Sequence, residues 1–129
     1  FPTHPLAASP GGRLRLESVQ NASDQARTAV ATLKGETAAY SALPWFWSDQ
    51  GALRLQMAGL LPANGRTFRR AGAKPESFSL LHYDGERLAC VESVNAPMDH
   101  MAGRKLVERG STLAPEVACD AAVPLKKHL

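Results

Sequence analysis

The chain has 129 residues, of which 44% are hydrophobic and 21% are charged, and its formal net charge is +3. These values are ordinary for a globular protein and leave room for one domain plus a segment of a neighbour. No apolar run reaches the roughly 20 residues that cross a bilayer, and the weak basic charge does not indicate nucleic acid binding. We therefore expect a cytoplasmic protein with neither membrane nor nucleic acid as a partner.

The first 35 residues are predicted to contain a short strand and a helix. Charged residues alternate with Leu over residues 13–17, which is typical of a half-buried strand. From residue 18 to 33, small apolar residues recur at three- and four-residue steps, which predicts a helix with a narrow buried stripe, and Gly35 is the expected stop. Because small residues allow close approach to another layer, this unit is interpreted as part of a larger α/β domain.

Three aromatic side chains stand together in the segment Trp-Phe-Trp-Ser-Asp-Gln at residues 45–50. Pro44 precedes it and restricts the backbone of Leu43 to extended geometry. Aromatic side chains bury large areas and stack on flat partners, so the segment is expected to anchor a core or to face a planar ligand.

Residues 36–129 are predicted to form an α+β domain in which an antiparallel sheet of four to five strands is flanked by helices. Strands are predicted at residues 52–60, 66–71, 77–83 and 87–94. The Asp84–Gly85 pair predicts a tight hairpin turn between the last two. Because strands precede helices rather than alternating with them, the sheet is expected to be antiparallel.

A helix is predicted from Pro97 to about residue 109, with Asn95 as its cap and Gly110 as its stop. Its buried face is predicted to carry Met98, Met101, Ala102 and Leu106. A short helical turn is expected at residues 115–119.

The titratable residues do not suggest a metal site or a disulfide. Cys90 lies in a predicted strand and is expected to be a small buried hydrophobe, and its pairing with Cys119 is not expected. The four histidines lack metal-ligand spacing. Two basic groups could attract an acidic partner, although an ordinary solvated face is the simpler interpretation: Arg66, Arg69, Arg70 and Lys74, and Arg104, Lys105 and Arg109.

Two longer motifs and four shorter ones together resemble a known family. The longer ones are RLESVQNASDQA at residues 15–26 and LPWFWSDQ at residues 43–50. The shorter ones are QMAGL at 56–60, VNAP at 94–97, MAGRKL at 101–106 and VPLK at 123–126. In this order they resemble the C-terminal part of the FAD-dependent NAD(P)H:ferredoxin reductases of bacterial P450 and dioxygenase systems, a family related to putidaredoxin reductase.

The resemblance implies that residues 1–35 are the end of an FAD domain and that residues 36–129 are the reductase C-terminal domain. The parent protein would pass electrons from NAD(P)H through FAD to a 2Fe-2S ferredoxin. Its partners would be that ferredoxin and its own FAD and NAD domains. Because the chain starts at Phe1 and carries no Gly-rich dinucleotide-binding turn, we expect it to be a C-terminal fragment that is inactive alone and binds no cofactor tightly.

The same resemblance assigns Glu17, Ser18, Val19 and Gln20 to the flavin side, with the Trp47 indole at the edge of the isoalloxazine ring. It assigns no catalytic side chain and no metal ligand. Each assignment has a plainer alternative: Val19 would pack in a core, Glu17 and Gln20 would be solvated, and Trp47 would anchor two domains.

A competing interpretation is a dimerisation or interaction domain without a redox role, which would make the fragment a homo-oligomer. Recovery of a yellow, NADH-oxidising complex on mixing with the N-terminal portion would favour the reductase. Tight self-association without any flavin domain would favour the alternative.

Overall fold

The computed structural model describes residues 14–37 and 39–129. The chain divides into two compact units, Phe1–Phe46 and Trp47–Leu129, and each is described by itself. An irregular connecting loop is predicted for residues 1–12 from their Pro, Gly, Ala and Ser content, and it lies outside the described residues. The predicted boundary between residues 35 and 36 stays a prediction.

The first unit contains one helix, α1, over Val19–Leu33. Its start is capped by Ser18, whose hydroxyl oxygen accepts a hydrogen bond from the Asn21 amide at 3.1 Å. Beyond its end Gly35 adopts a φ of +88°, which glycine tolerates without a side-chain clash. The predicted helix and its stop are therefore confirmed.

One expectation for this unit is wrong. Residues 14–17 form no strand, because a strand needs hydrogen bonds from a neighbouring strand and none pairs with them among the described residues. The predicted stripe on α1 is open to solvent, with Val19, Val30 and Leu33 exposed by 68%, 52% and 87%. The layer expected to cover it was assigned to a larger α/β domain, so its burial stays a prediction. Within the described residues no second layer covers this helix face.

The sheet has five antiparallel strands in the order β1-β2-β5-β4-β3. The strands are β1 Trp45–Gln50, β2 Leu53–Gly59, β3 Arg66–Ala71, β4 Phe78–Asp84 and β5 Arg87–Val94. The α+β class, the antiparallel sheet and the four predicted strands are confirmed. The aromatic segment itself forms the edge strand β1, which the sequence pattern did not predict because its residues do not alternate between polar and apolar.

The β4–β5 hairpin forms as predicted. Asp84 pairs with Arg87, and Gly85 in the turn has a φ of +60°. Leu81 and Val91 face each other across the two strands and are fully buried. The hairpin thus supplies the centre of the core.

One face of the sheet is covered by α2, which spans Pro97–Glu108 and contacts β2 and β5. Its buried residues are His100, Ala102, Gly103, Leu106 and Val107. The prediction that Met98 and Met101 are buried is wrong, since they are exposed by 61% and 60%. The helix instead turns its small Gly103 toward the sheet, because that residue allows the closest approach to Val91.

Asn95 does not cap α2, which corrects a second expectation for this helix. Ala96 occupies the cap position without a side-chain hydrogen bond. Asn95 has a φ of +49°, and its side chain accepts from the Arg54 amide at 2.8 Å and donates to the Ala52 carbonyl at 3.3 Å. It therefore joins the start of α2 to the start of β2. The predicted stop at Gly110 is confirmed, with a φ of +64°.

The chain ends in a short helix α3 over Pro115–Ala118, which confirms the expected turn, and in a 3₁₀ helix over Leu125–His128. Both cysteines are free, and Cys90 is fully buried as expected. None of the helices in the described ranges is long and apolar enough to cross a bilayer.

Candidate functional site

The start of α1 contains three residues that the resemblance assigns to the flavin side, Ser18, Val19 and Gln20. A helix has no internal acceptors for the amides of its first turn, and the Ser18 side chain takes that of Asn21. The amides of Val19 and Gln20 therefore have no acceptor inside the helix. The positive end of the helix dipole adds to their attraction for negative charge or for a carbonyl oxygen.

The side chain of Gln20 joins this turn to the segment that precedes the aromatic strand. Its Nε2 donates to the Leu43 carbonyl at 3.1 Å, and its Oε1 accepts from the Trp45 amide at 3.0 Å. We call these three residues the Gln20 clamp. Sequence reasoning missed it, because nothing in the sequence marks a pairing between positions more than 20 residues apart.

Glu17 is exposed and forms an ion pair with Arg15 at 2.8 Å. Both side chains are more than half exposed, so solvent screens the pair and it contributes little to stability. The structure thus leaves the Glu17 carboxylate accessible, while its assignment to the flavin side stays a prediction.

Trp47 lies in β1 and is 42% exposed, and the neighbouring Phe46 is 40% exposed. Both rings are therefore partly open to solvent. Trp47 belongs to the second compact unit, whereas Ser18, Val19 and Gln20 belong to the first. The assignment of the indole to the flavin edge stays a prediction.

One arginine of the first predicted basic group, Arg70, is buried and does not lie on the surface. Arg70 is only 3% exposed, and its Nε donates to the Asp99 carboxylate at 3.0 Å. Its remaining nitrogens donate to the carbonyls of Ala118, Asp120 and Val123 at 2.7–2.8 Å. The sequence contained a signal for the burial of Arg70, because side chains two residues apart in a strand share a face. Phe68 lies two residues before Arg70 and packs edge-on against the buried Tyr83 ring.

Of the remaining basic residues of that group, Arg66 and Arg69 lie on the surface of β3, and Lys74 is exposed in the loop that follows. The guanidinium of Arg66 stands over the Phe68 ring at 5.4 Å, and that of Arg69 stands over the Phe78 ring at 4.8 Å. On α2, Lys105 is exposed, Arg104 is half-buried, and Arg109 follows at the helix end. These positions agree with the solvated face that the sequence suggested.

A hydrogen-bonded chain crosses three strands of the sheet. Thr67 Oγ1 lies 2.9 Å from His82 Nδ1, and His82 Nε2 lies 2.8 Å from Glu92 Oε2. His82 is thus a satisfied, nearly buried histidine that links β3, β4 and β5. Over the described ranges no group of three metal-ligating side chains comes together.

The chain is similar to several known reductases. It is 47% identical over 115 residues to rhodocoxin reductase of Rhodococcus erythropolis, which covers 89% of this chain and 27% of the relative. The crystal structure of the ferredoxin reductase for the CYP199A2 system from Rhodopseudomonas palustris is 42% identical, with a TM-score of 0.83 over 92% of this chain and 29% of that one. The chain spans less than a third of both.

A second similar structure is the covalent complex of putidaredoxin reductase with putidaredoxin. It is 35% identical, with a TM-score of 0.80 over 91% of this chain and 28% of that one. The sequence profile described as "Reductase C-terminal" matches residues 45–129, which is more than half of the chain. The chain therefore belongs to the reductase C-terminal family and is similar to the C-terminal part of ferredoxin reductases of the putidaredoxin reductase type.

Proposed function

We propose that this chain is the C-terminal part of a flavoprotein reductase that passes electrons from NAD(P)H through FAD to a 2Fe-2S ferredoxin. The observation that carries the proposal is the extent of the match: relatives named as ferredoxin reductases align with about nine tenths of the chain. The alignment therefore includes residues before the family domain, which begins at residue 45.

The residues of α1 fit a flavin at its first turn. Bound FAD would accept a hydride and release single electrons, which no side chain of this chain can do. The amides of Val19 and Gln20 would donate to a ring carbonyl, and the helix dipole would favour negative charge at that carbonyl. Ser18 would hold the turn in shape through its cap, and Glu17 would lie at its entrance.

Trp47 would exclude water from the edge of the flavin. An exposed indole is costly unless a partner covers it, and the flat, apolar flavin ring is suited to cover it. The basic residues of α2, Arg104, Lys105 and Arg109, would attract an acidic ferredoxin through long-range electrostatics. Arg70 takes no part in docking, because Asp99 and three carbonyls already occupy its guanidinium.

The exposed stripe of α1 agrees with a covering layer supplied by the parent FAD domain. Val30 lies beside Ala26 and Ala31 in a shallow groove of about 390 Å³. The alternative function, a dimerisation domain without a redox role, is favoured by this stripe alone. Sedimentation of the isolated chain at several concentrations tests it, since a dimerisation domain would sediment as a dimer at micromolar concentration.

A chimera tests the reductase proposal. Residues 14–129 replace the matching C-terminal part of rhodocoxin reductase, and the product is assayed for bound flavin and for electron transfer to rhodocoxin and to a small dye. We expect a yellow, active enzyme. A Trp47→Ala variant should lower the rate with the iron–sulfur protein by about tenfold, equivalent to roughly 1.4 kcal/mol, and the rate with the dye much less.

Phe46→Ala is the matched control, because that ring is equally exposed and adjacent in the strand. We expect it to leave the ratio of the two rates unchanged. A colourless chimera would reject the proposed function. Equal losses with both acceptors for Trp47→Ala would reject the role of the indole on the partner side.

A further inference from the structure

We propose that Gln20 is a positioning residue whose side-chain amide fixes the start of the tryptophan-bearing strand on the first turn of α1. The amide uses both of its polar atoms on one short stretch of main chain, the Leu43 carbonyl at 3.1 Å and the Trp45 amide at 3.0 Å. It therefore pairs with this stretch as the backbone of a neighbouring strand would.

The stretch needs such a partner because Pro44 stands at its centre. Proline has no backbone N–H and cannot donate to a pairing partner, and the two groups that Gln20 bonds lie directly before and after it. Leu43 and Pro44 are both buried, which removes water as a ready substitute. An unpaired buried carbonyl or amide is costly, so the two hydrogen bonds strongly favour this geometry.

Glutamine is suited to this position for two reasons. Only a carboxamide carries a donor and an acceptor side by side in fixed geometry, as the backbone of a strand does. The side chain also starts in the first helical turn, and helical side chains lean toward the helix N-terminus. A glutamate could accept from Trp45 but, as a carboxylate, could not donate to Leu43.

The inference changes how Gln20 would act toward the flavin. Because both side-chain atoms are already bonded to main chain, its effect would reach the ring through the strand that begins at Trp45. This part rests on the proposed function, whereas the clamp itself does not. Trp47 lies two residues farther along the same strand, so the clamp fixes the point from which that strand leaves the helix.

The test uses the 129-residue chain and hydrogen exchange of the Trp45 amide, followed by NMR. In Gln20→Leu, which keeps the size of the side chain, we expect that amide to exchange roughly tenfold faster, as the loss of its acceptor requires. In Gln20→Glu it should exchange at close to the wild-type rate, because the acceptor remains. A side chain that only fills space would give the wild-type rate in Gln20→Leu, and that result would overturn the proposal.

Gln25→Leu is the matched control. Gln25 is also a glutamine of α1, but its amide donates only to Asn21, at 2.7 Å. We expect it to leave the Trp45 amide unchanged. Trp fluorescence gives a second readout, because the two tryptophans of the chain both lie in this strand. Emission should shift to longer wavelength in Gln20→Leu alone, and an equal shift in Gln25→Leu would also contradict the clamp.

The chimera separates this inference from the proposed function. If the chimera binds flavin, Gln20→Leu should lower electron transfer to the iron–sulfur protein more than to the dye. A chimera without flavin would reject the proposed function, and the exchange experiment would still decide the clamp.

Discussion

Arg70 shows how one buried charge can tie distant parts of the chain together. It lies on the edge strand β3, and its guanidinium makes four hydrogen bonds, to the Asp99 carboxylate of α2 and to the carbonyls of Ala118, Asp120 and Val123. These partners lie 29–53 residues away in sequence. A planar guanidinium reaches several acceptors at once, which an ammonium group cannot do with the same geometry.

We expect Arg70→Met to lower the free energy of unfolding by about 3–5 kcal/mol, because it leaves the Asp99 carboxylate partly buried without its partner. Urea denaturation measures the loss. Arg69→Met is the control, since Arg69 is exposed over the Phe78 ring and should contribute no more than about 1 kcal/mol. Equal losses at the two positions would contradict the structural role of Arg70.

Residue identity alone did not separate these two arginines. Three arginines within five residues, at positions 66–70, suggest a basic surface. Neighbouring side chains in a strand point to opposite faces, so Arg69 and Arg70 cannot both face solvent on the same side of the sheet. The acceptors of Arg70 come from an irregular segment, whose carbonyl directions no sequence pattern encodes.

At the scale of elements, the packing of α2 on β5 depends on the missing side chain of Gly103. A Cβ at this position would lie 2.9 Å from Cγ1 and 3.0 Å from Cγ2 of Val91. Both distances are shorter than packed carbon atoms normally allow. The close approach of helix and sheet explains why the buried face of α2 is centred on Gly103 rather than on the methionines.

We expect Gly103→Ala to destabilise the domain by about 1 kcal/mol, because overpacking outweighs the gain in helix propensity. In a Val91→Ala background both methyl contacts disappear and only the Cβ of residue 91, at 3.1 Å, remains, so the same change should cost about 1 kcal/mol less. Thermal or urea unfolding of the four proteins in this double-mutant cycle measures the coupling. Additive effects would show that Val91 does not limit the approach of α2.

At the scale of the whole molecule, buried titratable groups couple folding to pH. Burial, with a smaller effect of the Glu92 charge, raises the pKa of the Cys90 thiol from 9.0 to about 12. Burial likewise raises the pKa of Tyr83 from 10.0 to about 12, and its hydroxyl donates to the Leu113 carbonyl at 2.7 Å. In both cases the folded state holds its proton at a pH where the unfolded chain releases it.

The contribution of these two groups to stability should therefore be constant below pH 9.0 and fall above it, as the unfolded Cys90 thiol ionises first. The slope should approach about 1.4 kcal/mol per pH unit and steepen above pH 10.0, where Tyr83 of the unfolded chain also ionises. Urea midpoints from about pH 8 to about pH 11, roughly one value per half unit, measure both parts. Cys90→Ala should reduce the fall of stability with pH, whereas Cys119→Ala should leave unchanged the part of that fall which comes from Cys90.

The fold followed from local signals wherever neighbours in sequence determine the backbone. Alternation in residues 53–59, the Asp84–Gly85 turn and the Pro97 start of α2 each act within a few residues, and each formed where expected. The motifs at residues 43–50 and 101–106 likewise indicated the family, because a family is recognised from the order of residues along the chain and not from contacts in the fold.

Tertiary structure alone decided which side chains meet across long separations. Arg70 is buried against carbonyls of the C-terminal segment, and Asn95 bonds the start of β2 rather than capping α2. Gln20 bonds the main chain on both sides of Pro44. Each of these polar groups satisfies backbone atoms that local pairing leaves unpaired, and which atoms remain is known only once the chain has folded. Sequence thus determined the elements and the family, whereas folding determined the partners of the buried polar groups.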